Sequence, residues 1–106
     1  MPQKSRKYIR LLGPENRLRV YYQSEKGKVR KFSLQYESLI QSKWHTILRI
    51  DNFHNSVPHK HVYYLNRRVR RATLGTDPHK VFNFWRDYIE DNYPTIKDNY
   101  LYYNKS

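Results

Sequence analysis

From Arg17 to Gln23 the chain alternates Leu18, Val20 and Tyr22 with Arg17, Arg19 and Tyr21, the period of a strand with one buried face. A short polar segment with Gly27 follows, and a second alternating run at Val29 to Tyr36 sets Phe32, Leu34 and Tyr36 on its apolar side. The pair reads as a hairpin. Beyond a mostly polar connection at Glu37 to Lys43, broken by Leu39 and Ile40, Trp44 to Asp51 alternates again. There Trp44, Thr46, Leu48 and Ile50 oppose His45, Ile47, Arg49 and Asp51. Asn52 to Pro58 is turn-rich. His59 to Leu65 is a further strand, with Val62 and Tyr64 on one side and His59, His61 and Tyr63 on the other. Asn66 turns the chain into an Arg-rich strand near Val69 to Leu74, and a short strand at Lys7 to Leu12 can add an edge before Gly13-Pro14.

The period then changes. Thr76-Asp77-Pro78 has the chemistry of a helix start, with Asp77 placed to cap free amides and Pro78 in the first turn, where its missing N–H costs nothing. Val81, Phe82, Trp85, Tyr88 and Ile89 recur at helical spacing, so this helix packs on the sheet through one stripe. Its expected end is near Tyr93, because Pro94 follows. The expected fold is α+β: a single domain over 1–106 with a mainly antiparallel meander sheet of about five strands and one C-terminal helix on one face. Residues 1–6 and 101–106 are candidates for flexible ends.

If one helix covers one sheet face, the buried set is Leu18, Val20, Tyr22, Phe32, Leu34, Trp44, Leu48, Ile50, Val62 and Tyr64. Arg17, Arg19, Tyr21, Lys31, Gln35, His45, Arg49, Asp51, His59, His61 and Tyr63 then share the open face. That face is basic, aromatic and histidine-rich at once, the composition with which several RNA-binding folds meet phosphates and unstacked bases. Tyr22, Tyr64 and Tyr88 are better read as core or core-edge residues.

Charge strengthens this picture. Lys and Arg total 21 against 9 Asp and Glu, a net +12 spread from Lys4 to Lys105, and such a field attracts polyanions. An acidic protein partner fits it as well. A chain of 106 residues has a thin core and can gain from self-association, so a homo-oligomer is a further expectation. There is no cysteine, which excludes disulfides, thiolate metal sites and cysteine nucleophiles. No segment is apolar for long enough to span a bilayer, and the first residues lack a leader's apolar core. A cytoplasmic protein without a membrane partner is the expectation.

The chemistry-bearing residues gather between Arg49 and His61: Arg49, Asp51, Asn52, His54, His59 and His61. His59 and His61 are two positions apart, so in a strand their side chains leave one face roughly 6–7 Å apart, a separation suited to flanking a phosphate. In metal-free RNA cleavage one imidazole takes the 2′-OH proton and another protonates the leaving 5′-oxygen, while Arg49 or Lys60 stabilises the charge on phosphorus. Asp51 can orient an imidazole. In a second chemistry His59 and His61, with His54 or Asp51, hold a divalent transition metal that activates water. In a third the histidines only donate hydrogen bonds to phosphate. Lys60, Tyr63, His45, Arg68 and Arg70 join Arg17, Arg19, Tyr21 and Lys31 as candidate nucleic-acid contacts, and His79 is read as a first-turn helix residue.

The run Arg49-Ile50-Asp51-Asn52 followed by His59-Lys60-His61 resembles the arginine, aspartate, asparagine and paired-histidine pattern of the TumE-type toxins of small prokaryotic toxin–antitoxin pairs. The likeness covers the central third and the order of strands before helix. It implies a ribonuclease held in check by a cognate antitoxin, with Arg49, Asp51, Asn52, His59 and His61 at the site and His54 beside it. His54 and the Arg-rich Asn66 to Arg71 stretch depart from that pattern. The expected function is a small toxin-like endoribonuclease that binds RNA on the open face and works without a cofactor. The alternative is a non-catalytic nucleic-acid-binding module or a basic subunit of a larger complex.

Overall fold

The computed structural model describes residues 4–53, 57–64 and 67–103, with backbone alone for 64, 67–72 and 103. Six strands follow one another across a single sheet in chain order: β1 (Lys4–Gly13), β2 (Asn16–Glu25), β3 (Lys28–Ile40), β4 (Lys43–Asp51), β5 (His59–Tyr64) and β6 (Arg67–Thr73). Every neighbouring pair is antiparallel. One helix, α1 (Pro78–Tyr103), closes the chain. The expected α+β class, its antiparallel meander and its C-terminal helix on one face are therefore the architecture. The N-terminal edge strand is longer than Lys7 to Leu12 and starts at Lys4.

Tight turns join the first four strands. Lys26 and Gly27 (φ 52° and 77°) and Gln41 and Ser42 (φ 53° and 67°) both take positive φ at two successive residues, the conformation that matches strand twist in a two-residue hairpin. Gln41-Ser42 carries none of the usual glycine or asparagine for that turn. This is why Glu37 to Lys43 read as a connection, whereas β3 in fact runs on to Ile40.

Leu18, Val20, Phe32, Leu34, Tyr36, Leu48 and Ile50 are buried from the sheet side and meet Phe82, Ile89 and Tyr100 of α1. The helix packs chiefly on β3, then on β4 and β5. Asp77 caps it as expected, accepting from the His79 N–H at 3.1 Å and the Lys80 N–H at 3.4 Å. His79 also accepts the Val29 N–H on its Nδ1 at 3.0 Å, so it ties the helix start to β3.

The helix does not stop before Pro94. Pro94 lies inside it, and the stripe continues through Ile96 and Tyr100 against the core. The Tyr93 hydroxyl donates to the Leu12 carbonyl at 2.8 Å. Burial of that further stripe offsets the one backbone bond that proline removes. No described helix is long and apolar enough to cross a membrane.

Two of the register shifts in the sheet alter the alternation around the site. Tyr36 pairs with Leu48 but Glu37 pairs with Thr46, which leaves Ile47 as an extra residue in β4. Ile47 and Leu48 are both buried, and the strand before them is turned over. Trp44, expected in the core, therefore stands 39% exposed on the open face, with the Arg17 guanidinium 3.9 Å from its ring centroid. His45, expected on the open face, pairs with Ser38 in phase with the core and is removed from the candidate interface.

In β3 the extra residue is Arg30, since Gln23 pairs with Lys31 and Ser24 with Val29. The side chain of Asn52 fills that irregularity. Its Nδ2 donates to the Arg30 carbonyl at 2.8 Å and its Oδ1 accepts the Phe32 N–H at 2.9 Å.

Asn52→Ala strands both backbone groups in the interior, so a loss of about 1–3 kcal/mol is expected, measured as a lower urea midpoint with unchanged slope. Tyr36 supplies a second expectation. Its hydroxyl donates to Asn16 Oδ1 at 2.7 Å, and burial, the main cause, raises its pKa well above the tyrosine range. The unfolded chain ionises Tyr36 from pH ~10 while the fold keeps it neutral. Stability held below that pH is thus lost as pH rises, by up to about 1.4 kcal/mol per pH unit. Urea midpoints between pH 8 and 11 should fall less steeply in Tyr36→Phe.

Candidate functional site

Register across the sheet builds two parallel rows on the open face. One joins Ile9, Arg19, Gln35, Arg49 and His61 as successive Cα partners from β1 to β5. The other joins Lys7, Tyr21, Ser33, Asp51 and His59. Residues opposite one another in antiparallel strands lie about 4.5–5.5 Å apart and share a face. The rows therefore set the histidines, Arg49 and Asp51 directly beside the basic and aromatic positions of β1 to β3.

At one end of the rows Asp51 is the hub. Its Oδ2 lies 2.7 Å from Arg49 Nε and 3.6 Å from His61 Nε2, and its Oδ1 accepts the Phe53 N–H at 3.3 Å. Asp51 and His61 side chains are each 1% exposed, whereas Arg49 is 33% exposed. The His59 and His61 ring centroids are 6.4 Å apart, in the interval expected for alternate residues of one strand. His59 is half-buried. The cluster thus offers solvent one imidazole and one guanidinium, with a carboxylate and a second imidazole beneath them.

At the other end lies a groove of about 610 Å³ lined by Lys7, Ile9, Arg19, Tyr21, Ser33, Gln35 and Phe53, with Tyr8 and Val20. Phe53, 45% exposed, meets Tyr21 edge-to-face at 6.0 Å. Lys31 Nζ stands 5.4 Å from the Phe53 ring centroid. The Gln23 amide donates to the Tyr21 hydroxyl and holds that ring in place. Cations around an aromatic wall are the components of a surface that takes phosphates and unstacked bases.

The remaining candidates divide. Arg19, Tyr21 and Lys31 belong to the groove or its rim. Arg17 is bound to Glu37 by a 2.6 Å ion pair and stacks on Trp44. Lys60 leaves β5 on the helix side, where it pairs with Ile50 and its Nζ approaches the Trp85 ring at 5.5 Å. It is therefore no partner for a phosphate held by His59. Tyr63 also departs from expectation. It packs on the core and lines a cleft of about 340 Å³ with Trp85 and Tyr88, next to a register shift between Val62 and Tyr63 that interrupts the sheet's regular pairing.

Asn52, a site residue by resemblance, has its amide engaged by β3 backbone. His54 lies outside the described residues, as do the side chains of Arg68 and Arg70, whose Cα partners in β5 are Tyr63 and Val62. Among the described residues no three His, Asp or Glu side chains are grouped to hold a metal ion.

Phe53, Ile9, Lys7, Ser33 and Glu37 were not among the sequence candidates. Lys7 and Ile9 were recoverable by carrying the period-2 alternation through Gly13-Pro14 and counting the hairpin register. Phe53 sits in a turn, where no period marks it.

The family comparison extends over the whole length. Residues 1–106 match the model described as Domain of unknown function (DUF7718), and the chain belongs to that family. No curated protein and no solved structure matches the chain.

A buried carboxylate beside a partly exposed guanidinium should couple strongly in folding. Arg49→Met is expected to cost about 1–3 kcal/mol. The same change in an Asp51→Asn background should cost markedly less, as read from a double-mutant cycle of urea midpoints.

Proposed function

We propose that this chain is a small endoribonuclease of the toxin type, which binds single-stranded RNA across its open sheet face and cleaves it with imidazole acid–base chemistry. The observation that carries this reading is the pair of register rows that align His59, His61, Arg49 and Asp51 with the groove. RNA phosphates are drawn by the +12 charge. Arg49 contacts the scissile phosphate and offsets the charge that builds on it.

In the reaction the 2′-oxygen attacks phosphorus as the bond to the 5′-oxygen breaks. One imidazole takes the 2′-OH proton and the other gives a proton to the 5′-oxygen, leaving a 2′,3′-cyclic phosphate and a 5′-hydroxyl. His59 is the accessible member of the pair. His61 lies buried beside Asp51, its Nε2 3.6 Å from Oδ2, and it takes part only when RNA binding opens access to it. An acidic antitoxin docked on the same face would block both binding and chemistry.

Burial of His61 and Asp51 favours a second reading, in which their pairing is structural and the face is a binding module. Labelled single-stranded RNA incubated with wild type and with His59→Ala, with and without a chelator, separates the two. Metal-free catalysis predicts chelator-resistant cleavage that falls about 100-fold or more in His59→Ala while RNA affinity is retained. A 2′-deoxy substitution at the cleaved position should block it. Salt-sensitive binding without cleavage by wild type would establish the binding module, and chelator-sensitive cleavage would overturn the metal-free mechanism.

A further inference from the structure

The groove beside the histidine cluster contains a hydrogen-bonding group whose orientation is set by its neighbours. Gln35 lines it, one strand from Arg49 in the same row. Gln35 Nε2 donates to Glu37 Oε2 at 2.6 Å. Glu37 Oε1 in turn receives Arg17 Nε at 2.6 Å, and Arg17 stacks on Trp44. A carboxylate only accepts, so this chain fixes which end of the Gln35 amide faces Glu37 and turns Oε1, an acceptor, the other way. The rings of Tyr21 and Phe53, themselves in edge-to-face contact, line the same groove, with Arg19 on β2 and Lys7 on β1.

We propose that this groove is a base-recognition subsite for an unpaired nucleobase next to the scissile phosphate, and that Gln35 selects a base that presents an exocyclic amino group, such as adenine or cytosine, over uracil, which has none. The inference rests on the RNA-binding reading and adds its specificity. The base packs against Phe53 and Tyr21, stacking that every base can provide. Its amino group donates to Gln35 Oε1. Uracil's donor on that edge is an N–H flanked by carbonyl oxygens on both sides, so a bond from it to Oε1 brings acceptor against acceptor on either flank and is the weaker of the two. Glu37 and Arg17 are positioning residues. They touch no base but hold the amide in the selecting orientation.

The test uses 2′-O-methyl hexanucleotides of adenine, cytosine and uracil, which cannot be cleaved, with affinity read by fluorescence anisotropy at one salt concentration. Wild type should bind the adenine and cytosine hexamers about 10-fold more tightly than the uracil hexamer. Gln35→Leu should bring the three affinities together. Phe53→Ala, at an exposed position, should weaken all three about 10-fold with the preference intact. Glu37→Gln, which lets the Gln35 amide turn over, should reduce the preference through a residue outside the groove. Thermal melts confirm that each variant is folded. Equal binding of the three hexamers by wild type would overturn the subsite alone. A preference that survives in both Gln35→Leu and Glu37→Gln would overturn the role of Gln35. Failure of wild type to bind any hexamer would overturn the subsite and the RNA reading together.

Discussion

A carboxylate almost wholly withdrawn from water has to be neutralised where it stands, and Asp51 is such a group. Arg49, two residues earlier on the same strand, and His61, on the next one, meet its Oδ2. The following residue, Asn52, turns to the other strand neighbour and bonds its backbone at Arg30 and Phe32. Two consecutive side chains thus lock β3, β4 and β5 together. The register of the histidines against the groove follows from that lock. A slip by one residue would carry the whole set to the opposite face.

The same neutralisation shapes the field of the open face. Asp51 and Glu37 are its buried acids among the described residues, and each holds an arginine close. Lys7, Arg19 and Lys31 are left around the groove to supply positive potential where a polyanion would lie. The paired arginines act as fixed geometry and the groove cations as the attracting charge. Fixed geometry and uncompensated positive potential are in this way carried by different side chains.

Much of this was legible in the chain because period-2 alternation is strong at Arg17 to Gln23, Val29 to Tyr36 and His59 to Val62, and the switch to a 3.6 period after Asp77 is clear. The join of Arg49, Asp51, His59 and His61 was legible for the same reason. What escaped has local physical causes. A single extra residue at Ile47 exchanges the faces of Trp44 and His45 and leaves no mark in the alternation beyond it. A hairpin built on Gln41-Ser42 lacks the residues that announce such a turn. Pro94 reads as a stop, yet buried Tyr100, less than two turns later, repays its cost. Lys60 was assigned to phosphate because of its neighbours in sequence, although strand alternation sends it to the helix side.

The sheet is laid down in the order in which its strands are written, and the helix comes after all of them. During synthesis each new strand finds its partner already present, so the basic face can assemble early and from local contacts. Its reverse side stays greasy and uncovered until Phe82, Ile89 and finally Tyr100 have left the ribosome. A nascent chain of this protein therefore carries a paired basic surface before it owns a stable interior, and the emergence of Pro78 to Tyr100 decides whether that surface persists.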